Sequence, residues 1–177
     1  MKTILIVSAG IESIFGILKA KELGYYVVVS DGNPNAPGFE YADDFIIAST
    51  YDIEDTIKKA KIYNSKRKID GVICIASDVP KTVAALSEIF KTRSISNEIA
   101  KICSDKFLMK KIFKENGISV PWFSEILSLE DLKKEISEKN SEFVLKPVDS
   151  RGARGVLRIS ANSDLEKSYD ISKSFSQ

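Results

Sequence analysis

The feature that most constrains this chain is an alternation near its start, in which a short apolar run is followed by a turn and then by a stretch with helical spacing. Continuous apolar runs of this kind suit strands buried on both faces, and their alternation with helices points to a parallel sheet. The first run, residues 3–7, closes in the turn Ser8-Ala9-Gly10. Ile14, Leu18 and Leu23 then recur at roughly helical spacing, and Gly24 stands where a left-handed cap ends a helix. A second strand at residues 26–30 is broken by Asp31-Gly32-Asn33-Pro34, and a loop rich in Pro and Gly leads to a third at residues 45–48. Asp52 is expected to cap a helix carrying Ile53, Ile57, Ala60 and Ile62 toward the core. Residues 71–75 form the fourth run, ending at Ala76-Ser77-Asp78, and a helix over residues 80–89 opens with proline in its first turn.

This order predicts an α/β fold, a doubly wound parallel sheet with right-handed crossovers. Functional loops then belong at the strand C-termini, over residues 8–13, 31–38 and 76–78. From Thr92 the rhythm changes to two consecutive short helices, residues 96–103 and 104–116, with Ser96 and Ser104 as candidate N-caps and Gly117 as the stop. After them come an amphipathic helix over residues 129–139, a strand over 143–146, a glycine-containing turn, a return strand over 156–159 and a further helix from Asp164. The expected division is therefore residues 1–94, a doubly wound domain, and residues 95–177, an incomplete α+β unit.

The chemistry is bounded as firmly as the fold. Lys and Arg number 26 against 25 Asp and Glu, so no global field draws the chain to nucleic acid or to an anionic membrane. The longest apolar runs are too short to span a bilayer, and a cytoplasmic location is the default expectation. With no histidine in the chain, the commonest general base, the commonest zinc ligand and every Ser-His or Cys-His pair are excluded. Cys74 and Cys103 share no metal or redox spacing and read as packing residues. Asp43, Asp44 and Asp78 have no metal-ligand spacing, and no metal site is expected from them. Lys58, Lys59, Lys61, Lys66, Arg67 and Lys68 read as a solvated helix face, without the aromatic interleaving of a nucleic-acid surface.

The strongest functional signal is Phe143-Val144-Leu145-Lys146-Pro147-Val148-Asp149-Ser150-Arg151-Gly152-Ala153-Arg154-Gly155-Val156. A lysine at the end of an apolar strand is held rigidly and can meet phosphate oxygens as a point charge, while the glycine turn after it offers backbone N–H groups. Taken alone the segment also fits a basic hairpin turn with two solvated arginines.

Lys146-Pro147 followed by Ser150-Arg151-Gly152-Ala153-Arg154-Gly155-Val156 resembles the strand and glycine-rich flap of the ATP-grasp superfamily, which includes carbamoyl phosphate synthase, biotin carboxylase and purine-pathway ligases. Upstream, Ser104-Asp105-Lys106, Met109-Lys110 and Gly117-Ile118-Ser119-Val120-Pro121 are similar to the stretch in which that family opens a helix with Lys or Arg and ends it with glycine and proline. Residues 31–38, Ala42-Asp43, 69–72 and Ser77-Asp78 resemble its preceding α/β domain, so the likeness runs over residues 1–159. The resemblance implies ATP bound by Lys106, Lys146, Ser150, Arg151, Gly152, Ala153, Gly155 and Val156. It implies an acylphosphate formed on a small carboxylate and attacked by an amine or thiol, with Mg2+ at work in the complete enzyme. Gly10, Asn33, Ser77 and Asp78 are the weaker candidates for holding substrate. In that family the adenine hinge and the acidic and Asn ligands of Mg2+ follow the flap, beyond Gln177. The expectation is a chain with no catalytic residues of its own, needing a missing C-terminal half or acting as a homo-oligomer. The rival reading is a non-catalytic α/β module that binds a small ligand, or NAD or NADP with Asp31 on a ribose; against the dinucleotide, the first turn lacks G-x-G-x-x-G and carries Glu12.

Overall fold

In the computed structural model, which describes residues 1–139 and 141–176, β1 (Thr3–Val7) pairs in parallel with β2 (Tyr26–Asp31) on one side and β4 (Gly71–Cys74) on the other. β3 (Asp44–Ile47) lies outside β2, which gives a four-stranded parallel sheet in the order β3-β2-β1-β4. Leu5, Ile6, Val7, Val27, Val28 and Val29 are wholly buried, as strands covered on both faces require. The pleat divides them. Leu5, Val7, Val28 and Val72 face one core with Ala60 and Leu86, and Ile6, Val27 and Val29 face another with Ile17 and Ala20.

The sequence expectations for the helices are met at their ends more than on their faces. α1 (Ile14–Glu22) is preceded by a 3-10 turn at Ile11–Ser13 and buries Ile17 and Ala20. Leu18 and Leu23, which share the helical spacing, are 45% and 64% exposed. Gly38 explains the phase: a Cβ there would stand 2.9 Å from Ile17 Cδ1, so the missing side chain leaves room for Ile17 beneath the second loop. Gly24 ends α1 at φ 83°, with its N–H on the Lys21 carbonyl and that of Tyr25 on the Ala20 carbonyl. α2 (Ile53–Lys66) is capped by Asp52, whose carboxylate accepts the Asp55 N–H at 3.0 Å. Thr56 and Ala60 are its buried residues and Ile57 packs beside them, whereas Ile62 is exposed. α3 (Pro80–Phe90) carries proline in its first turn as expected, and Ile75, expected in β4, lies past its end.

The chain divides into two units, Met1–Lys101 and Ile102–Gln177. The division falls within α4 (Asn97–Ser104), whose start is capped by the Ser96 hydroxyl. Ser104 is the last residue of α4 and not the cap of α5 (Lys106–Glu115). Asp105 takes that role, its Oδ1 accepting the N–H groups of Phe107 and Leu108 at 2.9 Å each. A carboxylate accepts both amides and complements the positive helix end, which a hydroxyl does less well. Gly117 closes α5 at φ 72°.

In the second unit β5 (Phe143–Leu145) and β6 (Leu157–Ile159) form an antiparallel pair separate from the first sheet. α6 (Leu129–Lys139) and α7 (Leu165–Lys173) supply Leu132, Ile136, Leu165 and Tyr169 to a core shared with Phe143, Leu145 and Ile159. Val144, on the opposite face of β5, is 62% exposed. No helix among the described residues is long and apolar enough to cross a membrane.

The interlocked first loops generate a stability prediction. A Cβ on Gly38 would also stand 2.8 Å from the Ala9 carbonyl oxygen, a backbone atom that cannot rotate away. Gly38→Ala should therefore destabilise the chain by about 1–3 kcal/mol, as overpacking does, seen as a lower urea midpoint with unchanged slope. An unaltered midpoint would contradict this packing.

Candidate functional site

The second unit holds a cavity of about 730 Å3 lined by α5, the segment from Pro121 to Leu127, β5 and residues of α6 and α7. Its α5 wall is Lys106, Phe107 and Lys110, residues that share one helix face. Phe107 meets Phe123 edge-on with centroids 5.6 Å apart, and the Lys110 ammonium lies 5.5 Å from the Phe123 ring centre. Trp122 also lines the cavity, tilted against Phe143 at 5.2 Å.

Lys146 lines the same cavity from the end of β5, and continued strand alternation sets it with exposed Val144 rather than with the core residues Phe143 and Leu145. Burial, together with the charge of Lys146, holds the Lys110 ammonium below the usual lysine pKa. Neither lysine has a carboxylate within ion-pair distance among the described residues. Of the cavity carboxylates, Glu135 accepts the Ser124 hydroxyl at 2.8 Å and lies 3.8 Å from Lys139, Glu142 pairs with Arg158, and Glu125 is exposed.

Lys106 is used differently. Its N–H donates to the Val148 carbonyl at 2.9 Å, and its ammonium donates to that carbonyl at 3.2 Å and to the Ser150 carbonyl. Rather than pointing into open space, it ties the start of α5 to the exit of β5.

Beyond that tie the chain makes the glycine turn. Gly152 and Ala153 have φ of 60° and 57°, and the Arg154 N–H donates to the Arg151 carbonyl at 3.2 Å, a turn with two left-handed central residues. The Ser150 hydroxyl donates to the Arg154 carbonyl at 3.0 Å and so braces the turn from inside. Gly155 returns toward β6 at φ 69°, buried against Pro147 and Phe175. Val156 precedes β6 and is exposed.

In the first unit, Gly10, Asn33, Ser77 and Asp78 lie in the loops that follow β1, β2 and β4, at one end of the parallel sheet. The Asn33 side-chain carbonyl accepts the Asn35 N–H at 3.0 Å, and the Ser77 carbonyl accepts the Cys74 thiol. Asp31 braces the same loops: its two oxygens accept the N–H groups of Ala9 at 2.8 Å and Asn33 at 2.9 Å. A carboxylate so engaged is a loop clasp, which removes the feature that favoured a dinucleotide ribose. Burial would raise the Asp43 carboxyl, but the Val27 N–H and Lys21 outweigh it and hold it below the ordinary value.

Comparison with known proteins agrees with this architecture. No protein-family model matches the chain. Over 98% of its length it is 22% identical to a formate-dependent phosphoribosylglycinamide formyltransferase of Methanococcus maripaludis (strain C5), of which it spans 44%. The solved N5-carboxyaminoimidazole ribonucleotide synthetase of Thermotoga maritima superposes with a TM-score of 0.73 at 28% identity, over 94% of this chain and 43% of that one. The ADP complex of the N5-carboxyaminoimidazole synthetase of Staphylococcus aureus reaches a TM-score of 0.79 at 21% identity, over 98% and 45%. The chain carries the fold of the N-terminal portion of ATP-grasp ligases. It spans less than half the length of the relatives it matches.

Of the residues that the ATP-grasp resemblance singled out, the second unit gathers Lys106 and Lys146 on one cavity, with residues 150–156 forming the turn that follows. Lys110 stands in the Met109-Lys110 motif but is not among the residues to which the resemblance gives ATP. Its spacing of four from Lys106 on an amphipathic helix is the signal that places both on one face. Among the described residues no three His, Cys, Asp or Glu gather as a metal site, and no step is derived through a Mg2+ ion.

The turn gives a graded prediction. Gly152→Ala meets nothing within 4 Å and costs only the left-handed conformation, about 1–2 kcal/mol. Gly155→Ala adds contacts of 2.9 Å with Pro147 Cγ and 3.0 Å with Phe175 Cδ2, so it should lower the urea midpoint further than Gly152→Ala. Equal midpoints for the two variants would contradict the packing of Gly155.

Proposed function

We propose that this chain is the nucleotide-phosphate-binding portion of an ATP-dependent carboxylate–amine or carboxylate–thiol ligase of the ATP-grasp type. The single observation that carries the reading is the convergence of Lys106, Lys110 and Lys146 on one cavity beside a glycine turn. ATP would lie with its phosphates toward Lys146 and the turn formed by Ser150, Arg151, Gly152, Ala153, Gly155 and Val156, whose backbone N–H groups can donate to them. Phosphoryl transfer of this class depends mainly on positioning and charge neutralisation, so lysines and backbone amides suffice for the chain's share and no histidine is needed.

In this reading residues 1–94 are the Rossmann-like domain that precedes an ATP-grasp domain, and residues 95–177 are the first part of that domain. The loops bearing Gly10, Asn33, Ser77 and Asp78 receive the substrate, as the end of a parallel sheet commonly does. The formate dependence named for the archaeal relatives fits a small carboxylate as the group that ATP activates. The cytoplasm is the compartment we assign. The ATP-grasp resemblance implies that the Mg2+ ligands follow the glycine turn, and in this reading turnover belongs to the complete enzyme.

Trp122 is the sole tryptophan and lines the cavity, so its fluorescence reports binding directly. ADP should quench or shift it with a dissociation constant in the millimolar range. Lys146→Ala should weaken that binding about tenfold, the loss of one charge-assisted contact. The chain alone should hydrolyse no ATP. Fluorescence that ignores ADP but follows NADH, or ATP turnover abolished by Lys146→Ala, would overturn the respective halves of this account.

A further inference from the structure

We infer that Phe175 and Ser176, the two residues that lead away from the end of α7, are positioning residues for the glycine turn: they clasp its two legs and leave only its tip free to move. This rests on the nucleotide reading above in one respect, that the turn so held is the one offered to phosphate.

The clasp begins in the pattern of α7. Leu165 and Tyr169 give that helix its core contacts, and Ser172, on the same face, is its buried residue. The next position on that face is 176, and the Ser176 hydroxyl donates to Asp149 Oδ1 at 2.9 Å, on the leg that leaves β5. Phe175, 44% exposed and outside that core, packs against the other leg. A Cβ on Gly155 would stand 3.0 Å from Phe175 Cδ2 and 3.1 Å from its Cβ, with Pro147 Cγ 2.9 Å away, so Gly155 lies against both rings. The clasp is fixed to the helix. The N–H groups of Ser174, Phe175 and Ser176 donate to the carbonyls of Asp170, Ser172 and Lys173 at 2.9, 3.2 and 3.0 Å, so residues 174–176 continue α7 in tight turns. Displacing the legs of the glycine turn therefore means moving a helix that the core holds.

Burial divides the turn in the same way. Pro147 and Gly155 are buried, residues 152–154 are exposed, and a Cβ on Gly152 would meet nothing within 4 Å. Bonds from the Ser150 hydroxyl to the Arg154 carbonyl and from the Arg154 N–H to the Arg151 carbonyl keep the shape of the tip. With the Ser150 carbonyl on Lys106, the legs are held from both sides, by α5 at Ser150 and by the end of α7 at Asp149 and Gly155. Every residue that must be ordered when a ligand binds subtracts from the affinity, and legs held beforehand remove part of that loss. The residues after α7 thereby act on a ligand of the turn without touching it.

The test is amide hydrogen exchange of the ligand-free full chain, followed by titration with ADP read from Trp122 fluorescence. Phe175→Ala and Ser176→Ala should each quicken exchange at residues 149–156 while residues 132–136, 143–145 and 165–172 keep the parent rate. Phe175→Leu and Ser176→Thr should return it toward the parent, since the first keeps an apolar group against Gly155 and the second keeps the hydroxyl. Ser174→Ala, whose hydroxyl donates to the Ile171 carbonyl within α7 at 2.8 Å, should leave the turn unchanged. The dissociation constant for ADP should rise about fivefold in Phe175→Ala, the effect of a further segment to order on binding. The clasp is overturned if either alanine variant leaves exchange at residues 149–156 at the parent rate, or if exchange quickens equally through α6 and α7, which marks a general loss of stability. Quickened exchange with unaltered ADP binding removes the positioning role and leaves the nucleotide reading intact on Lys146. A parent chain that binds no ADP removes the nucleotide reading, and exchange alone then decides the clasp.

Discussion

Lys106 makes the tie on which the second unit's open face depends. A two-stranded antiparallel pair is marginal by itself, and β5–β6 gains its covered side from α6 and α7. The other side, with Val144 exposed, has no such core. Asp105 caps α5, and its neighbour Lys106 fastens that helix start to the exit of β5 through the Val148 and Ser150 carbonyls. Three donor bonds from one residue thus set the helix that carries Lys110 beside the strand that presents Lys146. The glycine turn starts from the same fixed point, braced by Ser150 and closed by Gly155 against Pro147 and Phe175.

The first unit solves a parallel problem by different means. Its sheet is buried on both faces, and the loops that leave it are locked by a short carboxylate and a backbone bond rather than by a long side chain. Asp31 accepts from Ala9 and Asn33, and Gly38 donates to the Ala9 carbonyl at 2.8 Å. The loop ends are thereby held rigid at the edge where a parallel sheet presents its ligands. Function in this chain is assigned to loops and strand ends, while stability comes from the strands and helices that hold them.

Much of this was legible in the sequence because it is local. Gly24 and Gly117 mark left-handed caps, Asp52 and Pro80 mark helix starts, and the apolar runs mark the strands, since each is decided by neighbours a few residues away. The face of α1 was not legible: Ile14, Phe15, Ile17 and Leu18 offer apolar residues on several sides, and the space that Gly38 leaves for Ile17 lies far along the chain. Ser104 and Asp105 are adjacent cap candidates, and the geometry of the preceding helix end chose between them. The glycine turn was legible as a motif, and its residues do form a left-handed turn. What Lys106 binds was not, because its partners lie more than 40 residues downstream. The place of Lys110 is hidden for the same reason, since its proximity to Lys146 arises only when α5 and β5 are brought side by side.

The central claim is that nucleotide phosphate binds the second unit's cavity, and amide chemical-shift mapping with ADP tests it most directly. The account predicts shifts concentrated at residues 106–110, 122–123 and 144–156, with residues 8–12 and 31–33 unchanged. Shifts concentrated at residues 8–12 and 31–33, with the lysine-lined cavity silent, would contradict it.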